Sequence, residues 1–169
     1  AMPLDVTASG VDAAYSCSQK GLGAPSGLAP VMFAQSALAR RVRCRSFYFD
    51  LELLEAYWVG RKYHHTMSAQ LLFALHTALC EIEEEGLDAR WQRHSNNHQR
   101  FAAGLEARGW SLLPEESARA WSLNAVRIPS GADDVAVRTR LLAEHRIEIG
   151  AGLGPLAGKV WRVGLMGAG

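Results

Sequence analysis

The chain has 169 residues, 49% hydrophobic and 21% charged, the make-up of a folded globular protein with one good core or two small ones. Its formal net charge of +1, with basic residues scattered among acidic ones, excludes an electrostatic footprint for nucleic acid or an anionic membrane surface, and no apolar run approaches the roughly 20 residues of a membrane span. Cys17, Cys44 and Cys80 are odd in number, far apart and without C-x-x-C spacing, which speaks against a disulfide framework or zinc site and for a reducing, cytoplasmic setting.

The first third consists of short apolar runs broken by glycine and proline. Residues 13–17 and 30–33 read as strands of the buried type, and between them Gln19-Lys20-Gly21-Leu22-Gly23-Ala24-Pro25-Ser26-Gly27 forms a tight turn. Residues 35–45 read as a helix whose basic end, Arg40 to Arg45, is solvated; 46–50 as extended; 51–60 as a second short helix; and the polar stretch 61–67 as a loop. From Ser68 the spacing of Leu71, Leu72, Leu75, Ala78, Leu79 and Ile82 predicts a long helix that Gly86 ends or kinks. A second helix is predicted over about 88–108, closing at Gly109, then strands at 110–113 and 123–128, a helix over about 133–145 led by Asp133 and Asp134, and strands at 147–149 and 160–165. The chain opens on Ala1-Met2-Pro3-Leu4-Asp5 without the start of an element and stops just after an apolar strand, so further sequence is expected on at least one side.

Lys20 is the first candidate for chemistry, because it follows an apolar strand inside a glycine-rich turn. A long amine there projects over the strand end, and a desolvated lysine becomes a nucleophile toward carbonyls. Alone, a loop lysine is an ordinary surface residue; its context changes that. Ser18-Gln19-Lys20 with Gly21-Leu22 and Ala24-Pro25-Ser26-Gly27 resembles the cofactor-lysine segment of class V, fold-type I pyridoxal-phosphate aminotransferases of the alanine–glyoxylate and serine–glyoxylate group, with Ser26 in place of the usual second proline. Tyr63-His64-His65-Thr66 resembles a second segment of that group, and Gly152-Leu153-Gly154-Pro155 with Lys159 to Leu165 resembles its late Gly-Leu-Gly and Arg-x-Gly segments. Three motifs in the same order cover nearly the whole chain.

The resemblance implies an α/β fold: residues 1–94 as the latter part of a large domain built on a mainly parallel sheet, and 95–169 as a small, truncated α/β domain. It implies transamination between alanine or serine and glyoxylate, by a ping-pong mechanism, with pyridoxal 5′-phosphate as cofactor. By similarity, Lys20 forms the Schiff base and moves the proton, and Gln19 lies beside the cofactor. Tyr63 and Thr66 resemble residues binding the phosphate of the cofactor held by the neighbouring subunit, which implies a homodimer with shared sites. Arg162 resembles the arginine gripping the carboxylate common to amino-acid and 2-oxo-acid substrates, a group that a guanidinium holds through two parallel hydrogen bonds.

Other candidates read blandly. His64 and His65 support loop geometry; His94 and His98, at i, i+4 on a helix, lack a third ligand and read as a solvated face, so no metal is assigned. Trp58, Trp91, Trp110 and Trp161 read as core or subunit interface. The family's pyridinium-binding aspartate, ring-stacking aromatic and phosphate-closing Ser/Gly segment all precede the lysine, beyond the reach of these residues, so the segment alone is expected to be inactive. Two alternatives stand: a ureidoglycine–glyoxylate aminotransferase, in which asparagine is expected where this chain has Tyr63, and a non-catalytic module derived from such an enzyme.

Overall fold

The computed structural model describes residues 2–168. Two compact units make up the chain: one comprises residues 5–19 and 24–78, the other the short segments before Asp5 and at Lys20–Gly23 together with everything from Leu79 onward.

In the 5–78 unit, Asp5 starts a turn by accepting hydrogen bonds from the backbone N–H groups of Thr7 and Ala8, both at 2.9 Å. Strands β1 (Ala13–Tyr15) and β2 (Val31–Phe33) pair antiparallel, Ala13 opposite Phe33. Their apolar side chains, expected to be buried, are largely exposed within this chain; Tyr15 is 85% accessible. Helix α1 covers only Gln35–Ala39 of the predicted 35–45. It has no side-chain cap, and Arg40, Arg41, Arg43 and Arg45 would crowd like charges onto its next turn, so the costly nucleus is not extended. Arg40 instead reaches Asp12 at 3.2 Å and Arg41 reaches Glu55 at 3.1 Å. Helix α2 (Leu51–Trp58) forms as predicted because Asp50 caps it, its carboxylate accepting from Glu52 and Leu53 N–H at 2.9 and 3.3 Å. A loop follows at 61–67, and helix α3 (Ala69–Glu85) begins where Ser68 Oγ accepts from Leu71 N–H at 3.4 Å. Gly27 sits at φ +132°, a conformation that residues with a Cβ rarely adopt, and a Cβ there would lie 2.7 Å from Leu71 Cδ1, so that side chain would have to shift.

In the unit from Leu79 onward, Gly86 at φ +81° separates α3 from helix α4 (Leu87–Glu106), the break its position in the sequence predicts. Strand β3 (Leu123–Arg127), helix α5 (Asp134–His145), and strands β4 (Gly150–Ala151) and β5 (Val160–Gly164) follow. The sheet order is β3-β5-β4, antiparallel throughout, with Arg162 opposite Ala125 on one side and Gly150 on the other. Asp133 caps α5 through Ala136 N–H at 2.9 Å. Ala102, Leu112, Val126 and Trp161 form the buried cluster, flanked by Phe101, Leu105, Val137 and Val163.

Two predicted strands shrink. Residues 110–113 contribute a single bridge, Leu112 with Val126, and 147–149 leave α5 without ladder partners, pairing with β5 beginning only at Gly150. Arg146, left-handed at φ +56°, sets that exit direction. The expectation of a solvated face for His94 and His98 is also corrected: both are buried, on the inner face of α4 with Arg90, Ser95 and Ala102. The i, i+4 spacing was a core stripe written in polar residues. The His94 ring is satisfied at Nδ1, which donates to the Arg90 carbonyl at 2.7 Å, and His98 Nδ1 bonds Asn124 Oδ1 at 2.7 Å. Among the described residues no group of three or more His, Cys, Asp or Glu could hold a metal ion.

Candidate active site

The lysine turn is a compact piece of backbone. Ser18, fully buried, donates from Oγ to the Pro25 carbonyl at 2.6 Å and accepts from Leu28 N–H at 3.3 Å, closing the strand-to-turn passage on both sides. Gly23 N–H returns to the Lys20 carbonyl at 3.0 Å. Gln19 and Lys20 themselves are exposed, with the amine free of any protein partner among the described residues.

Lys20 and Arg162 belong to the same compact unit. The backbone that leaves β5 beyond Arg162 comes back to the lysine turn at Gly167. A Cβ on Gly167 would lie 3.7 Å from Gly23 Cα and 3.8 Å from the Lys20 carbonyl oxygen, ordinary contact distances that place the two segments side by side. On β5, Trp161 points into the core and donates from Nε1 to Asp134 Oδ1 at 2.8 Å, while Arg138 holds the same carboxylate at 2.8 Å. Hydrogen bonding to Arg138, against the opposing effect of burial and with Trp161 assisting, lowers the Asp134 carboxyl below its ordinary value. This fixes one face of the strand and, by alternation, turns Arg162 to the other. Arg162 Nε donates to the Ala151 carbonyl at 2.7 Å, and its guanidinium lies against Gly150, where a Cβ would come within 3.1 Å of Nη2. With Nε tethered and no protein bond at Nη1 or Nη2 among the described residues, two donors remain for a carboxylate.

The Gly-Leu-Gly segment between β4 and β5 has its own steric logic. A Cβ on the buried Gly152 would overlap the Leu156 carbonyl and lie 3.1 Å from the Val160 carbonyl oxygen. Glycine at 152 is what allows the chain to fold back into the first residue of β5.

In the 5–78 unit, Tyr63 Oη and Thr66 Oγ1 lie 2.9 Å apart, both exposed, so the loop presents paired uncharged hydroxyls. His64 beneath them is buried, stacked on Phe47 with ring centres 4.4 Å apart, bonded through Nε2 to the Phe47 carbonyl at 2.8 Å and through Nδ1 to His65 Nδ1 at 2.7 Å. Its role is the structural one read from sequence. Arg61, in the left-handed region at φ +53°, turns the chain into this loop.

Sequence reasoning missed an ion cluster. Glu85, at the end of α3, receives Arg90 Nη1 at 2.7 Å and Arg93 Nε at 2.6 Å; Arg90 Nη2 donates to the Gly21 carbonyl at 3.1 Å and Arg93 Nη2 to the Gly167 carbonyl at 3.1 Å. Hydrogen bonding to Arg93, with Arg90 adding to it and partial burial opposing, holds the Glu85 carboxyl down at about 2. The run Glu83-Glu84-Glu85 reads as a solvated helix end, and only the spacing of Arg90 and Arg93 across Gly86 hinted otherwise.

No protein-family model matches the chain. It is 37% identical to the (S)-ureidoglycine–glyoxylate transaminase of Bacillus subtilis, with 93% of this chain and 43% of that protein aligned, and 37% identical to the alanine–glyoxylate aminotransferase of Drosophila melanogaster, with 93% and 42% aligned. The crystal structure of the alanine–glyoxylate aminotransferase from Nostoc sp. superposes with a TM-score of 0.93 at 48% identity, over 98% of this chain and 45% of that one. The chain thus spans less than half the length of these relatives. By sequence and by fold it corresponds to the C-terminal portion of the glyoxylate-linked, class V, fold-type I pyridoxal-phosphate aminotransferases.

Proposed function

We propose that these residues form the lysine- and arginine-bearing part of an aminotransferase that passes an amino group from alanine or serine to glyoxylate in a ping-pong cycle, with pyridoxal 5′-phosphate as cofactor. The observation that carries the reading is Arg162. Its guanidinium is anchored at Nε and laid over a glycine so that both Nη groups stay available, on a strand whose continuation meets the lysine turn. The residues present fit the cofactor by their donor chemistry: an exposed primary amine on a hydrogen-bonded turn for its aldehyde, Gln19 next to it in the chain, and the paired hydroxyls of Tyr63 and Thr66, which donate to phosphate oxygens without adding charge.

When bound, the cofactor supplies an electron sink for the carbanion that forms at the substrate Cα. The chain's own residues do the rest. Lys20 Nζ would hold the cofactor, would be freed when the incoming amino group takes its place, and would then carry the proton from the substrate Cα to the cofactor's C4′ carbon. Arg162 orients both partners through the carboxylate they share, so one binding group serves both halves of the cycle.

Tyr63 and Thr66, whose paired hydroxyls are exposed on this chain, serve in this reading the cofactor of a second subunit in a homodimer. A division of the complete enzyme near residues 94 and 95, into a large and a small domain, is part of the same reading; within this chain that point falls inside the continuous helix α4. The cytoplasm as compartment rests on the cysteine pattern, Cys17, Cys44 and Cys80 being odd in number, far apart and without C-x-x-C spacing. Among the described residues no helix is long and apolar enough to cross a membrane.

Borohydride reduction of the full-length protein after addition of pyridoxal phosphate, followed by peptide mapping, is expected to leave a phosphopyridoxyl group on Lys20. Absence of that adduct would favour a non-catalytic module. Ureidoglycine is the competing donor, and similarity to the Bacillus subtilis protein gives it weight. Glyoxylate consumption with alanine, serine and ureidoglycine in turn decides, and turnover of ureidoglycine alone would replace the donor named here.

A further inference from the structure

The Glu85–Arg90–Arg93 cluster lies outside the residues so far given a role in the reaction. Its geometry has two parts. One carboxylate gathers two guanidiniums, and each guanidinium spends a remaining donor on a backbone carbonyl distant in sequence: Gly21, next to Lys20, and Gly167, five residues beyond Arg162. These two carbonyls belong to the segments that touch through Gly23 and Gly167. Arg90 is almost wholly buried, and neither ion pair is an open surface contact.

A turn rich in glycine has little stiffness of its own, because its residues lack the Cβ that restricts φ and ψ. Beyond its internal backbone bonds, the lysine turn is held from outside, and among the described residues the charged side chain bonded to its backbone is that of Arg90 in the cluster. Bidentate and charge-assisted bonds suit the task, since a planar guanidinium sets direction as well as distance.

We propose that Glu85, acting through Arg90 and Arg93, is a positioning residue for Lys20: it locks the lysine turn to the segment that continues from the Arg162 strand, so that amine and guanidinium keep a fixed relation. This role rests on the reading of Lys20 as the cofactor lysine. The cluster touches neither cofactor nor substrate; it sets where the amine stands.

The test uses the full-length protein and pyridoxal phosphate as probe. Glu85→Gln, and separately Arg90→Lys, whose single ammonium cannot span both Glu85 and the Gly21 carbonyl, are compared with Leu112→Ala, a core substitution in the same unit. Both cluster variants are expected to raise the cofactor dissociation constant at least tenfold, slow borohydride trapping at Lys20 and speed deuterium uptake in the peptide spanning residues 18–24. Leu112→Ala is expected to lower the melting temperature while leaving cofactor affinity and trapping as in wild type. Should Glu85→Gln not fold, Arg90→Lys carries the comparison. Wild-type affinity and uptake in a folded cluster variant overturn the positioning role alone, as does an equal loss of affinity in Leu112→Ala. Wild-type protein that takes no label at Lys20 overturns the functional reading, and the positioning role with it.

Discussion

The two units of the chain are built on different terms. From Leu79 onward the structure has an interior: Ala102, Leu112, Val126 and Trp161 pack together, His94 and His98 beneath α4 each bond through Nδ1 while His94 Nε2 and Asn124 Nδ2 stay without a protein partner, and the sheet closes against two helices. In the 5–78 unit the buried residues are few and include Ser18 and His64, whereas Tyr15, Phe47, Phe49, Trp58, Tyr63 and Phe73 stand more than half exposed. Hydrogen bonds and caps shape that unit more than a hydrophobic core does. Exposed aromatic area on this scale is characteristic of surface that meets another protein surface, whereas the later unit carries its stability internally.

Stability measurements break or sharpen this contrast most strongly. In the full-length protein Trp161→Ala is expected to cost about 3–5 kcal/mol by urea denaturation, since it empties the core and strips the Asp134 carboxylate of a donor. Phe49→Ala, if its face stays exposed, is expected within about 0.5 kcal/mol of wild type. A Phe49→Ala cost near that of Trp161→Ala would show that the 5–78 face is covered in the full-length protein. Next in size, Arg162→Lys replaces a two-pronged donor by a point charge, and a loss of about 1.5–3 kcal/mol in a charged hydrogen bond predicts a roughly 10- to 100-fold drop in kcat/KM for glyoxylate. An unchanged kcat/KM would remove Arg162 from the site.

Smaller effects probe the 5–78 unit. Tyr63→Phe deletes one hydroxyl and is expected to weaken cofactor binding about two- to tenfold, from about 0.5–1.5 kcal/mol for one hydrogen bond. Adding Thr66→Val is expected to cost less than the two single changes combined, because the hydroxyls bond each other. The subtlest effect appears only in acid. The Glu85 carboxyl is held at about 2, below its unfolded value near 4.5, so the stabilisation from its ion pairs is fully present above about pH 4.5 and is lost as pH falls toward 2. Acid unfolding followed by tryptophan fluorescence is expected to be flatter over that interval in Glu85→Gln than in wild type, and identical slopes would contradict it.

Much of this architecture was legible beforehand, for identifiable reasons. Helices α3, α4 and α5 carry long-period apolar patterns or caps, and Gly86 and Asp133 mark their limits chemically. Strand β5 follows from its apolar run. What misled was local: five residues of α1 where eleven were predicted, because clustered arginines outweigh helix preference; a strand at 110–113 reduced to one bridge with β3; and residues 147–149, which have no ladder partner. The inner face of α4 escaped because Arg90, His94 and His98 are polar, and polarity alone signals solvent. At the candidate site, Lys20 and Arg162 were visible only through ordered motifs, since a lone lysine or a strand arginine says nothing by itself. The bonds of Glu85 and Ser18 could not be read from the sequence, because their partners lie across turns that no periodicity describes.

Gly152 has a consequence of a different kind. Any larger residue there would have to displace the Leu156 carbonyl, and the disturbance would reach Val160 and the arginine two residues later without altering a single reactive group. Substitutions at this position would therefore act as errors of assembly, lowering the yield of correctly folded protein while leaving every reactive side chain in the sequence.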